Sequence, residues 1–160
     1  KGSFYHFFPS KRRLLLEVLS DSWDETGLLR TWLQKPPASP SHDFRHYLRE
    51  LFAFHYAEWE TSGYVRGSLL GNLSAEIRAA NEPNIATEIK RLFDQQRRAF
   101  RALLAAGRNT GEFSIRDIDT NADGLLASIQ GLLLLAKIRN DLSILPARES
   151  ILMNFAGRKD

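Results

Sequence analysis

Apolar residues along this chain recur at spacings of three and four, and no stretch alternates convincingly with a period of two, so the pattern predicts helices throughout. A short aromatic helix at the start stops at Pro9-Ser10, where a serine begins the next one. That next helix carries Leu15, Leu16, Leu19 and Trp23 on its inner side and is expected to continue past Gly27 to Trp32. The segment Lys35-Pro-Pro-Ala-Ser-Pro-Ser41 is a stiff connector. An aromatic-rich helix follows from His42 to Glu60, Gly63 breaks it, and Tyr64 to Ala80 forms another with Leu69, Leu70, Leu73 and Ile77 inward. Pro83 opens a long helix whose buried stripe reads Ile85, Ile89, Leu92, Phe93, Gln96, Phe100 and Leu103. Gly107 to Gly111 caps and turns the chain. Ile115 to Asp123 leads into an apolar helix from Gly124 to Arg139, and a last helix runs from Ser143 to Phe155. The expected fold class is an all-α bundle.

The helix before the last is apolar on more than one side. Leu125, Ile129, Leu132, Leu133 and Ala136 make one face, enough to pack on its own subunit. Leu126, Leu134, Leu135 and Ile138 point elsewhere, with Ser128 and Gly131 leaving a shallow stripe between. A helix apolar nearly all round is buried on both sides. In a small chain the second side is covered most simply by another copy, with Ile144, Leu145, Ile151, Leu152 and Phe155 of the last helix completing the patch. The alternative is a central helix buried inside a monomer.

The bulk numbers add little. A chain of 160 residues is one domain with a proper core, and a formal charge of +3 is too weak to argue for nucleic acid. The placement of charge says more, because Lys1, Lys11, Arg12 and Arg13 precede any acid before Glu17. Cysteine is absent, which removes disulfides and thiolate metal sites and fits a reducing cytoplasm. The longest apolar runs, such as Leu132 to Ala136, are far short of a membrane span, so no membrane partner is expected.

The opening run Lys1-Gly-Ser-Phe-Tyr-His-Phe-Phe-Pro-Ser-Lys11 carries the functional signal. Small and polar side chains suit approach to base edges, and lysines suit phosphates. Gly2 and Ser3 permit close approach, Tyr5 and His6 can donate hydrogen bonds, and Lys1 and Lys11 supply charge. The run resembles the end of the DNA-binding domain in the TetR family of bacterial repressors. Phe7 departs from relatives that carry a second polar residue there. Gly67-Ser-Leu-Leu-Gly-Asn-Leu-Ser-Ala-Glu76 is similar to a helix start in one branch of that family, with Ser68 in place of the usual cysteine. Gln130-Gly131 and the Gly-Glu-Phe113 turn resemble the same branch, so the likeness runs along the whole chain in order.

The resemblance implies a homodimer that pairs its last two helices in a four-helix bundle, with Leu126, Ser128, Gly131, Leu134, Leu135, Ile138, Ile151, Leu152 and Phe155 at the interface. It implies residues 1–13 as the remnant of a helix-turn-helix head whose first two helices precede the chain, and 14–160 as the ligand-binding and dimerisation domain. Tyr5 and Lys11 would anchor operator phosphates, while Ser3 and His6 approach bases. A small effector would occupy a chamber among the central helices and release a repressor from its operator. Candidate lining residues are Phe52, His55, Tyr56, Trp59, Leu70, Asn72, Phe93, Gln96 and Phe100, a set suited to a flat lipophilic or aromatic molecule. Gln96 stands out because it interrupts an apolar stripe, and a buried amide needs partners. An ordinary aromatic core, with Gln96 bonded to nearby backbone, accounts for the same residues.

Other constellations are weaker. Asp119-Thr-Asn-Ala-Asp-Gly124 reads like the start of a calcium loop, but Gln130 stands where the bidentate carboxylate belongs. Capping of the helix start by Asp119, Asn121 and Asp123 is the simpler expectation. His42 and His46 share a helix face without a third ligand. Lys90, Arg97, Arg98 and Arg101 with Asp94 read as a solvated face laced with i, i+4 pairs. No nucleophile elbow, thiol nucleophile or phosphate loop is present, so neither an enzyme nor a cofactor or metal is expected. A helical small-molecule carrier or enzyme without a DNA role is the rival reading, and the opening motif discriminates against it.

Overall fold

The computed structural model describes residues 10–157, and within them every regular element is helical. Helix α1 spans Lys11–Ser22, α2 Leu28–Gln34, α3 Pro40–Ser62, α4 Leu69–Glu76, α5 Pro83–Thr110, α6 Ile118–Arg139 and α7 Glu149–Phe155. Ser10 caps α1 as expected, its Oγ accepting from the Arg13 amide at 3.2 Å. The helix then stops ten residues earlier than the periodicity suggests, with α2 as a separate element. Side chains in the turn compete for the backbone: an Asp24 carboxylate oxygen accepts from the Arg30 amide at 2.7 Å, and Thr26 Oγ1 accepts from the Leu28 amide at 3.2 Å. Gly27, at φ 73°, supplies the left-handed residue that lets the chain restart.

Three other boundaries move for equally local reasons. The segment before α4 is extended rather than helical because the Val65 amide donates to Asn140 Oδ1 at 2.8 Å, which ties it to the end of α6. Helix α6 begins at Ile118 because Asp117 caps it, accepting from the amides of Asp119 and Thr120 at 3.0 and 3.2 Å. Asp119, Asn121 and Asp123 therefore lie inside the helix and do not cap it. The last helix is split, with a 3₁₀ turn at Pro146–Arg148 ahead of α7. Pro146 has no amide hydrogen to donate to a longer helix.

Helix α5 is the hub, packed against α1, α2, α3, α4 and α6. Its buried stripe is Ile85, Ile89, Leu92, Gln96, Ala99, Phe100, Leu103, Leu104 and Gly107, while Phe93 is only partly covered. Tyr47 of α3 meets the Phe100 ring edge-on at 5.7 Å and the Trp32 ring of α2 at 5.6 Å. Arg97 closes α5 onto α6 through Asp119 at 2.7 Å and Asp123 at 2.5 Å, and Arg101 adds a 3.0 Å pair to Asp119. The basic side of α5 is thus partly an interhelical clamp. At its end Gly107 is buried under the Phe113 ring, and the Phe113 amide donates to the Gly107 carbonyl at 3.0 Å.

A methyl group at Gly107 would overlap the Phe113 ring, which is itself buried. Gly107→Ala should lower stability: overpacking costs ~1–3 kcal/mol and exceeds the helix-propensity gain. A urea denaturation midpoint below wild type is the expected outcome.

Candidate functional site

Lys1, Gly2, Ser3, Tyr5 and His6 lie outside the described residues. Lys11 opens α1, and its side chain is also outside them. Arg12, next along, is held by Glu82 at 2.6 Å, which fastens the first turn of α1 to the start of α5.

The nine candidate lining residues fall into separate places rather than one chamber. Phe52, Tyr56 and Trp59 occupy the outer side of α3 and, with Leu142, Leu145 and Pro146, line an apolar groove of about 390 Å³. Asn72 and Phe93 line a second groove of about 380 Å³ with Gly71, Gln130, Gly131 and Leu134. Gln96 borders a closed cavity of about 20 Å³ beneath the turn between α1 and α2. Leu70 and Phe100 are core residues, 3 % and 1 % exposed. His55 is buried on the inner side of α3, its Nε2 3.1 Å from Glu25 Oε2 and its Nδ1 3.8 Å from Glu58 Oε2. The reason for the split is position around α3: Leu48, Leu51 and His55 face inward, Phe52 and Trp59 lie at the border of that face as partly buried residues, and Tyr56 turns out to solvent.

The closed cavity collects polar groups that hydrophobic patterning does not flag. Trp23, Asp24, Glu25, Tyr47, Ser68 and Gln130 line it along with Gln96. Gln96 Nε2 donates to the Trp23 carbonyl at 2.7 Å, one residue beyond the end of α1. Burial first, then the negative charge of Glu25 and Asp24, pushes the Tyr47 phenol well above its ordinary pKa, so it stays protonated. Arg30 braces the same turn from outside, donating to the Ser20 and Asp21 carbonyls at 2.9 and 2.6 Å and stacking 5.2 Å from the Trp23 ring. The end of α1 is therefore held by α5 through Gln96, by α3 through Glu25 and His55, and by α2 through Arg30. The signal in the sequence was the adjacency of Asp24 and Glu25 to a core tryptophan and the lone Gln130 in an apolar helix.

On the opposite side Leu134, Leu135, Ile138, Ile151 and Phe155 are exposed, Ile138 at 70 %. Leu126, Ser128 and Gly131 are half-buried beside them. Leu152 departs from the expected interface set: it is 1 % exposed and packs in the chain's own core, because α7 turns that position inward together with Met153. Phe155 instead covers Gly124, where a Cβ would lie 3.1 Å from its ring.

The calcium-like run is otherwise engaged. Arg97 holds Asp119 and Asp123, and Asn121 Nδ2 donates to the Phe155 carbonyl at 2.7 Å. His42 and His46 lie 3.3 and 3.7 Å from Asp43 and Glu50. Among the described residues no group of three or more His, Cys, Asp or Glu side chains could hold a metal ion. No described helix is long and apolar enough to cross a membrane.

No family model matches the chain. It is 31 % identical over 144 residues to the HTH-type transcriptional repressor DhaR of Mycobacterium sp. (strain GP1), covering 88 % of this chain and 68 % of that protein. It is 27 % identical over 155 residues to an uncharacterized HTH-type transcriptional regulator in the lacX 3' region of Lactococcus lactis subsp. lactis, covering 95 % of this chain and 74 % of that one. Its fold matches the crystal structure of a TetR regulatory protein from Rhodobacter sphaeroides with a TM-score of 0.74 at 24 % identity, over 98 % of this chain and 79 % of that one. The chain belongs to the TetR family of helix-turn-helix transcriptional regulators.

Asp24 is the residue on which the α1–α2 turn depends most. Asp24→Ala frees the Arg30 amide and the Thr26 hydroxyl and should cost ~0.5–2 kcal/mol, the range for a lost helix cap. Chemical denaturation checks this, and Asp24→Asn, which keeps one acceptor oxygen, should recover part of the loss.

Proposed function

We propose that residues 14–160 are the effector-binding and dimerising body of a homodimeric repressor, and that residues 1–13 are the end of its DNA-reading head. The observation that carries the dimer is the exposed apolar face shared by α6 and α7. Leu134, Leu135, Ile138, Ile151 and Phe155 lie in water in the single chain, whereas Leu125, Ile129, Leu133 and Ala136 already satisfy the inner side of α6. A second copy meeting this face about a twofold axis buries it symmetrically. Leu126, Ser128 and Gly131 flank it and permit close approach of two helices.

Twofold symmetry calls for a near-palindromic operator, with Lys1, Tyr5 and Lys11 on phosphates and Ser3, His6 and the backbone at Gly2 near base edges. The repressor sign is supported by the repressor name of the Mycobacterium relative. A regulator of this kind works where its operator is, in the cytoplasm, and its output is a change in DNA affinity rather than a chemical reaction.

A small lipophilic effector acts only if it binds the DNA-incompetent conformation more tightly. The path for that preference is short. The end of α1 is gripped by Gln96, Glu25 with His55, and Arg30, and the other end of α1 adjoins the head.

Two measurements test this reading on the protein carrying its complete head. Ile138→Glu, a charge at the most exposed apolar residue of the face, should convert a sedimenting dimer to a monomer and reduce operator affinity by more than ten-fold, and a dimer that survives it would refute the interface. Lys11→Ala should weaken binding to all DNA sequences alike and lower the salt slope by about one counterion. An unchanged slope rejects Lys11 as a phosphate anchor.

A further inference from the structure

The closed cavity under the α1–α2 turn, about 20 Å³, has space for one non-hydrogen group. Two side chains that line it, Gln96 and Gln130, each keep a buried amide oxygen without a hydrogen-bond partner among the described residues. The orientation of Gln96 is fixed, because its Nε2 donates to the Trp23 carbonyl, so Oε1 is left purely as an acceptor. Leaving such an oxygen unpaired is costly, and an apolar residue in its place would not be. The charged residues of the lining are Asp24 and Glu25, and no Lys, Arg or His is among them. Their oxygens are already engaged by Thr26, the Arg30 amide and His55, so they supply negative field rather than direct bonds. Burial chiefly, and that field after it, pushes the neighbouring Tyr47 phenol upward.

The cavity also has a neighbour large enough for a molecule. Ser68 and Gln130 line both it and the groove of about 380 Å³ that carries Phe93 and Leu134, so the two adjoin at these residues. That amide rests on bare backbone: a Cβ at Gly71 would lie 2.9 Å from Gln130 Oε1. Leu134 belongs to the exposed face, so the groove runs along its edge. Glu76 and Lys137, the latter tied to Asn72 Oδ1 at 2.7 Å, stand in its lining too.

We infer that groove and cavity together form one site for a lipophilic primary amine, whose apolar body lies along Phe93 and Leu134 and whose ammonium donates to Gln96 Oε1 and Gln130 Oε1. The assignment rests on the reading of the chain as effector-responsive and narrows the effector to a donor-ended, cationic class. An ammonium matches two acceptors in a negative field better than a hydroxyl, since charge-assisted hydrogen bonds are the stronger kind. A carboxylate is excluded by the same oxygens. Because Gln96 also holds the Trp23 carbonyl, a ligand on its oxygen acts on the end of α1 directly.

The test is a matched series with one apolar body, 4-phenylbutylamine, 4-phenyl-1-butanol and 4-phenylbutyrate, each titrated by calorimetry and by thermal melting. The amine should raise the melting temperature and bind about ten-fold more tightly than the alcohol, with no shift from the carboxylate. Gln130→Met and Gln96→Met should erase the amine's advantage while leaving the alcohol unchanged. Gly71→Ala, which crowds the Gln130 amide without removing it, should reduce amine binding as well. Equal binding of all three compounds, or an amine without effect because water alone fills the cavity, overturns the site. Operator release is scored separately on the protein with its complete head. Amine binding without release overturns the effector role and leaves the site standing; release by all three compounds alike overturns the site and leaves the regulator standing.

Discussion

A twenty-eight-residue helix in the middle of a small chain has to bury one face against almost everything else, and α5 does so with five partners. Its inner stripe is apolar except at Gln96, and that exception is where the fold is fastened to the end of α1. One amide satisfies the carbonyl beyond the end of α1 and keeps its remaining oxygen buried without a partner beside a cavity. Deleting it in favour of leucine would strengthen local apolar packing and release the end of α1. The rest of the turn follows from the same need: Asp24, Glu25 and Arg30 each use charge to hold backbone or a neighbouring side chain where apolar contact could not define position.

The division of labour on α6 is the second organising feature. Positions Leu125, Ile129, Leu133 and Ala136 bury against the same chain, and the residues a third of a turn away remain in water. An exposed patch of this kind destabilises an isolated subunit and rewards association. The charged clamp from Arg97 to Asp119 and Asp123 sits on another side of α6, so the helix is fixed on α5 before any partner arrives.

Much of this was legible in the sequence, and the reasons for the remainder are physical. The long stripe of α5 and the two-sided apolar character of α6 are periodic, so their existence and facing follow from spacing alone. The broken helix at Gly27, the late start of α4 and the early start of α6 were not, because each is decided by a side chain bonding to backbone: Asp24 to Arg30, Asn140 to Val65, Asp117 to Thr120. The lining residues scattered because helical spacing gives the face of a helix but not what that face meets. Phe52, Tyr56 and Trp59 share a face, yet it turns toward the loop after α6 rather than toward Gln96. Leu152 was misplaced for the same reason, since a short helix after a 3₁₀ turn has a phase that periodicity does not set. Gln130 entered the reading only as a family signature and as the gap in a calcium loop, and Tyr47 drew no notice because nothing in its spacing sets it apart.

The two ends of the segment that carries α6 and α7 are joined by a backbone hydrogen bond. The Ser114 amide donates to the Gly157 carbonyl at 2.6 Å, and Gly157 adopts φ 74° over Ile115, leaving no room for a side chain. This stitch closes the polypeptide into a covalent and hydrogen-bonded loop that contains α6 and α7. The segment carrying α6 and α7 is thereby pinned at both ends, beneath the apolar face that Leu134, Ile138, Ile151 and Phe155 expose.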